Sequence, residues 1–261
     1  TPPGLNRSPG KVTFLFQSAE ETGVGAKTIL EKGYFSLSGA DRIFGLHNIP
    51  GYPLGSVLLS EPVFACASLG LSLGFKGSPA HAAYPEAGKN PALILADTIK
   101  YLYGNSSATI VHALLGKPAF VTAAAEAVVS FTLRNRNSKV LLRQKEEIVS
   151  KTAERSEREG LLFTFAESDY FPATVCDKGC LVLVRRAAEK AGLASYNLPG
   201  PMRWSEDFGY YTEVIRGAFF GIGAGKEHPQ LHTREYKFPE TLIEPGLRML
   251  YSLYDVNFPL V

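Results

Sequence analysis

Two adjacent carboxylates, Glu20 and Glu21, close the apolar run Phe14-Leu15-Phe16-Gln17-Ser18-Ala19, and Gly23 and Gly25 then loosen the backbone. Paired acids beyond a buried strand suit hydrolysis: one carboxylate holds a divalent cation and the other moves the proton of an attacking water. On that reading Glu21 is the metal ligand and Glu20 the base. The competing reading is an acidic helix start, where Glu favours the helix dipole. Taken alone, the pair leans towards the helix start. Two imidazoles shift the balance. His47 closes a second short apolar run in Gly45-Leu46-His47-Asn48-Ile49-Pro50, and His232 lies in a loop after Ala218-Phe219-Phe220-Gly221-Ile222-Gly223. Imidazole and carboxylate together form an ordinary donor set for zinc. His228 reads as a surface residue and His112, within a strand-like run, as structural.

An open α/β sheet would position these groups, because chemistry in such sheets collects beyond the carboxyl ends of the strands. Residues 11–17 read as a central parallel strand, apolar on both faces at Val12, Phe14, Leu15 and Phe16. Ala26, Ile29 and Leu30 then recur at helical spacing, with Gly33 placed to end the helix, and 42–46 form a second strand. This βαβ unit would bring Glu20, Glu21 and His47 to one sheet edge, since parallel strands put their carboxyl ends together.

The texture changes near residue 66. Leu69, Leu71, Leu73 and Phe75 alternate with Gly70, Ser72, Gly74 and Lys76, as in a strand with one buried face. A helix over 91–103 offers Ala92, Leu93, Leu95, Ala96, Ile99 and Leu102 as its apolar face. Strands follow over 108–115 and 121–133, then a polar helix over 138–158 with Leu141, Leu142, Ile148 and Val149 inward, and a strand over 161–166. Strand, helix, strand, strand, helix, strand is the ferredoxin-like split βαβ order. It reads as an insertion at 66–175 into a catalytic domain made of 1–65 and 176–261. Beyond it come a helix over 179–191 and a short helix N-capped by Ser205, with Glu206 and Asp207 in its first turn. A strand over 218–223 follows, then a closing helix with Leu242, Leu247, Leu250 and Leu253, kinked or restarted at Pro245-Gly246.

Composition narrows the classes. With 261 residues, 45% of them hydrophobic and 20% charged, the chain can build one large domain or two ordinary ones. A net charge of +2 gives no reason to expect nucleic acid or a membrane surface. No apolar run approaches the ~20 residues of a membrane-spanning helix. Cys66, Cys176 and Cys180 show no pairing pattern and read as small buried thiols, which favours the cytoplasm. Residues 1–10 read as a linker, as though the chain begins inside a longer protein.

Separated motifs then agree: Phe16-Gln17-Ser18-Ala19-Glu20-Glu21, Gly45-Leu46-His47-Asn48-Ile49-Pro50, Ser78-Pro79-Ala80-His81-Ala82-Ala83-Tyr84-Pro85, Ser205-Glu206-Asp207-Phe208 and Leu231-His232-Thr233. In this order they resemble the aminoacylase/carboxypeptidase family of metal-dependent amidohydrolases, nearest its hippurate hydrolase and auxin-conjugate amidohydrolase branch. The resemblance implies a zinc-exopeptidase-like α/β catalytic domain carrying a ferredoxin-like lid that mediates homodimerisation. It implies Glu20 as general base, Glu21, His47 and His232 as ligands of divalent Zn, Mn or Co, and His81 as a lid residue contacting substrate. It also implies a small N-acyl amino acid or peptide substrate; Arg134 reads either as a partner for its carboxylate or as a solvated surface arginine. Ser205 and Asp207 would either support the ligands from behind or cap a helix, with capping the favoured role. Two departures stand out. A Cys-Gly-His-Asp-type ligand segment upstream of the Glu-Glu pair has no counterpart, and Ala124-Ala125-Glu126-Ala127-Val128 stands where many relatives place a substrate-binding Asn. A catalytically incomplete binding or dimerisation module is the alternative reading.

Overall fold

The computed structural model describes residues 11–35, 39–105 and 107–258. In chain order its elements are α1 (Gly25–Glu31), β1 (Arg42–Ile49), β2 (Val57–Leu59), β3 (Val63–Ala65), β4 (Ala67–Lys76), β5 (Ala80–His81), α2 (Ala92–Tyr103), β6 (Ala108–Leu115), β7 (Thr122–Ala123), β8 (Glu126–Asn135), α3 (Ser138–Arg158), β9 (Leu162–Phe171), β10 (Thr174–Val175), α4 (Lys178–Lys190), β11 (Ser195–Asn197), α5 (Gly209–Thr212), β12 (Arg216–Gly223) and α6 (Ile243–Asn257). Two compact units result: Thr1–Ala65 with Ala173–Val261, and Cys66–Pro172. Among the described residues no helix is long and apolar enough to cross a membrane.

The first unit is built on a sheet of order β1-β12-β2-β11. β1 and β12 run parallel in unbroken register from Arg42↔Arg216 to Ile49↔Gly223. β12 is buried from Gly217 to Gly223, as an interior strand covered on both faces must be. Helix α4 turns Leu181, Val184, Ala187 and Ala188 into the core, and α6 adds Met249 and Leu253. Asp177 caps α4 by accepting the Cys180 N–H at 2.9 Å. Gly45 matters for a steric reason: a Cβ there would lie 2.6 Å from the Phe219 ring and 2.7 Å from that of Phe208. Cys176 and Cys180 are buried thiols pushed up to about 11 and about 12, mainly by burial, and none of the three cysteines is in a disulfide.

Three sequence expectations fail in this unit. Residues 11–17 form no strand, and the side chains of 11–16 are exposed, with Phe14 at 70% and Phe16 at 93% exposure. A run apolar on both faces needs hydrogen-bonding neighbours and covering layers. No described strand pairs with it, and β1 is an edge strand whose strand neighbour is β12. Ser205 does not cap α5: the helix starts later, with Phe208 at its N-cap and no side-chain cap bond. Pro245 neither kinks nor restarts α6, because it falls in the first turn, where no intrahelical N–H is required.

The second unit has the order β4, α2, β6, β8, α3, β9, and its antiparallel sheet runs β6-β8-β4-β9. β4 buries Leu69, Leu71, Leu73 and Phe75 while Gly70, Ser72 and Gly74 take the other face, and the Ser72 hydroxyl meets that of Ser130 at 2.8 Å. Asn137 caps α3, its side chain accepting from the Lys139 and Val140 amides. That helix buries Leu141 and Ile148, while Leu93 of α2 turns out 73% exposed and is not part of the apolar face. The stretch 121–133 is not one strand but β7 followed by β8, and β7 pairs with β5 in a separate two-stranded ribbon. Ile148 is 1% exposed, so Ile148→Val is expected to cost about 0.5–1.5 kcal/mol of stability by urea denaturation. No measurable change would mean that α3 does not seal this core.

Candidate metal and active site

Parallel pairing of β1 and β12 sends both strands' following loops out at the same end of the sheet. His47 stands near the carboxyl end of β1, and the 226–239 loop, which holds His232, follows β12. The turn bearing Glu20 and Glu21 is fixed differently from the expected βαβ. The Gln17 side chain donates to Asp207 Oδ2 at 2.7 Å and accepts the Tyr211 hydroxyl at 2.6 Å. Asp207 Oδ2 also accepts the Ala26 N–H at 2.9 Å, so it caps the first turn of α1 from a remote stretch rather than serving its own helix. The turn itself closes through Gly23 N–H to Glu20 O at 2.7 Å. Two of the three described non-glycine residues with positive φ flank the site: Ala19 at 61° and His232 at 62°. Such backbone is costly, by about 1–3 kcal/mol per residue, and clusters where geometry serves function.

Electrostatics joins these segments. Burial raises the Glu20 pKa above the ordinary carboxylate value, the Glu21 and Asp207 charges raise it further, and His232 opposes them. Burial lowers the His47 pKa, against the Asn48 carbonyl and Glu21. Glu206, 5% exposed, is pushed up to about 8, first by burial and then by Glu20 and Asp207, while the Phe208 N–H it accepts at 2.6 Å opposes the rise. Burial likewise raises Asp207. Carboxylate oxygens of Glu20, Glu206 and Asp207 all lie within 4.8 Å of one another. His47 is oriented on two sides: its Nδ1 sits 2.8 Å from the Asn48 carbonyl, and Trp204 tilts against its ring with centroids 5.3 Å apart. A carbonyl can only accept, so Nδ1 carries the proton and Nε2 keeps its lone pair.

Within the first unit the charges of Glu21 and His232 thus act on both Glu20 and His47, while among the described residues the acids whose ligand atoms gather within 4.8 Å are Glu20, Glu206 and Asp207 rather than the expected Glu21, His47 and His232. Sequence reasoning missed Glu206, Gln17, Tyr211 and Trp204. The available signal was an acidic pair embedded between the aromatics Trp204 and Phe208, an apolar setting unlike that of a solvated helix start. His81 and Arg134 belong to the second unit. His81 is exposed in β5, its Nδ1 accepting the Ala83 N–H at 3.1 Å, and Arg134 is exposed in β8. His112 is exposed on β6, and the His228 Nε2 donates to the Lys237 carbonyl at 2.8 Å.

The sequence profile described as Peptidase family M20/M25/M40 matches residues 4–255. The chain belongs to this family. Among its M20 relatives is N-acetyl-L-cysteine deacetylase of Bacillus subtilis, 30% identical over 255 residues, which span 94% of this chain and 60% of that protein. IAA-amino acid hydrolase ILR1-like 4 of Arabidopsis thaliana is 28% identical, covering 94% of this chain and 59% of its own length. This M20 chain thus spans about three fifths of the length of these curated relatives. A dinuclear metal binding peptidase of Bacillus subtilis shares the M20 fold, with a TM-score of 0.78 at 23% identity over 94% of this chain and 65% of that one.

Proposed function

We propose that this protein is a metal-dependent amidohydrolase acting on the amide bond of N-acyl amino acids or similar small amides. The observation that carries this reading is convergence: residues from separate stretches of chain meet at one end of a parallel strand pair, where the charges of Glu21, Asp207 and His232 act on Glu20 and those of Glu21 and His232 act on His47. Relatives named as deacetylases of N-acetyl amino acids and as a hydrolase of IAA-amino acids support the substrate class.

By chemical type the proposed donors suit a divalent cation, and the neighbouring acids Glu20, Glu206 and Asp207, with ligand atoms within 4.8 Å of one another, add negative charge that would favour one. Glu21 supplies a carboxylate, and His47 and His232 supply imidazoles. His47 is favoured in its neutral form by burial, with Nε2 available. Three protein ligands of this kind leave an open position on zinc, and Mn or Co would suit the same donors. A bound ion supplies Lewis acidity towards the amide carbonyl and a lowered pKa for water. Glu20 takes the proton of the attacking water and returns it to the leaving nitrogen. Its raised pKa makes it a stronger base than an ordinary glutamate. Asp207 and Gln17 hold the turn that aims Glu20.

The second unit is read as a lid that pairs two copies of the chain. Supporting this, β6 is an edge strand that exposes Val111, Leu114 and Leu115. His81 would donate to the substrate carbonyl and Arg134 would meet a substrate carboxylate, roles supported by the family motifs and by the exposure of both side chains.

The test is direct. The chain is titrated with Zn²⁺, Mn²⁺ or Co²⁺ by calorimetry and then offered a panel of N-acetyl and N-benzoyl amino acids. Expected are chelator-reversible metal uptake and release of free amino acid. A chain that takes up no metal and cleaves nothing is a binding or dimerisation module instead.

A further inference from the structure

We propose that Tyr236 is a positioning residue for the metal centre, fastening the loop that bears His232 to the end of the strand that bears His47. The inference rests on the metal reading above. Loop 226–239 lacks helix or strand, yet it must hold His232 in a left-handed backbone conformation. It is organised in three places. At its root, Gly225 exchanges backbone hydrogen bonds with the Gly51–Tyr52 turn that follows β1. Across its width, His228 Nε2 reaches the Lys237 carbonyl and its ring packs edge-on against Tyr236 with centroids 5.4 Å apart. At its tip, Thr233 turns back on Gln230 through both its N–H and its hydroxyl, and the Tyr236 N–H donates to the Thr233 carbonyl at 3.2 Å. Tyr236 is thus the end of a braced hairpin of chain that starts beside His232.

The Tyr236 hydroxyl accepts a hydrogen bond from the side-chain amide of Asn48. Asn48 is also the residue whose carbonyl holds the Nδ1 proton of His47. One residue therefore connects the two segments that bear the proposed imidazole ligands: its main chain sets the tautomer of His47, and its side chain ties down, through Tyr236, the loop that carries His232. A hydrogen bond between half-buried partners that orients a ligand-bearing segment acts on a metal site without touching the ion, and losing such a partner typically weakens metal affinity by about 10–100-fold.

The experiment compares metal affinity of the full chain with that of Tyr236→Phe, Asn48→Ala, the double variant and His47→Ala, by competition with a chromophoric chelator. Melting temperatures of the metal-free proteins are read alongside. Tyr236→Phe keeps the ring that packs on His228 and removes the hydroxyl alone. Expected is a dissociation constant raised about 10–100-fold with the metal-free melting temperature unchanged, and a double variant no weaker than the worse single one. Wild-type affinity in Tyr236→Phe, or strictly additive losses, overturns the proposal while His47→Ala still confirms the ligand. Equal metal binding by His47→Ala and wild type, or none by wild type, instead overturns the metal reading and this proposal with it. Should Tyr236→Phe melt early, Asn48→Ala tests the same bond from its other side, and wild-type affinity there overturns it equally.

Discussion

Replacing Glu20 by Gln is expected to leave metal binding within a few-fold of wild type and to lower the turnover of an N-acyl amino acid by about 100–10,000-fold. The amide keeps the size and hydrogen-bonding reach of the carboxylate but cannot take a proton from water at neutral pH. Glu20 has the surroundings of a base: partly buried, with Glu21 and Asp207 raising its pKa and His232 restraining it. Its oxygens also lie within 4.8 Å of those of Glu206 and Asp207, an arrangement that could itself hold a cation. The two measurements separate the roles. If affinity collapses together with turnover in Glu20→Gln, then Glu20 is a ligand and the base lies elsewhere.

Glu206→Gln is expected to make the metal-free protein more stable at pH 8–9 and to flatten its stability profile from pH 5 upwards. In the folded chain burial pushes Glu206 from 4.5 up to about 8, whereas an unfolded glutamate ionises near its ordinary value. Below about pH 4.5 both states hold the proton and the full contribution is present. Between 4.5 and 8 the unfolded chain has lost the proton that the folded chain keeps, so stability falls as pH rises, and it levels off once Glu206 ionises in the fold. The swing is on the order of a few kcal/mol. Gln reproduces the protonated form and has nothing to ionise. The Glu20 and Asp207 pKa values are also raised, so some slope remains in the variant. Urea denaturation in EDTA from pH 5 to 9 measures it; parallel profiles for wild type and variant would show that Glu206 is solvated.

Local patterns were legible wherever an element's own neighbours complete it. The 138–158 helix follows from its polar face, Leu141 and Ile148, and the structure returns Ser138–Arg158. The alternation at Leu69, Leu71, Leu73 and Phe75 marks a one-sided strand, as β4 is. The same reasoning misjudged 11–17, because apolarity says what a segment would bury and not whether a partner is there to receive it; Phe16 stands 93% exposed. It misplaced the short helix near Ser205 because an acid next to a capping residue reads as a helix start, while Asp207 bonds to Gln17 and Ala26 and Glu206 is buried.

The sequence offered Glu20, Glu21, His47 and His232 as candidate donors, by residue type, by their place at or after apolar runs and by resemblance to a family. What only the tertiary structure decided is what those donors feel and what holds them. The acidic shell of Glu206 and Asp207, the Gln17 bridge and the Asn48–Tyr236 tie join positions far apart in the chain. Residue type is a local property, but pKa, tautomer and orientation are set by whatever lies a few ångströms away, and in this fold those neighbours arrive from the opposite end of the polypeptide.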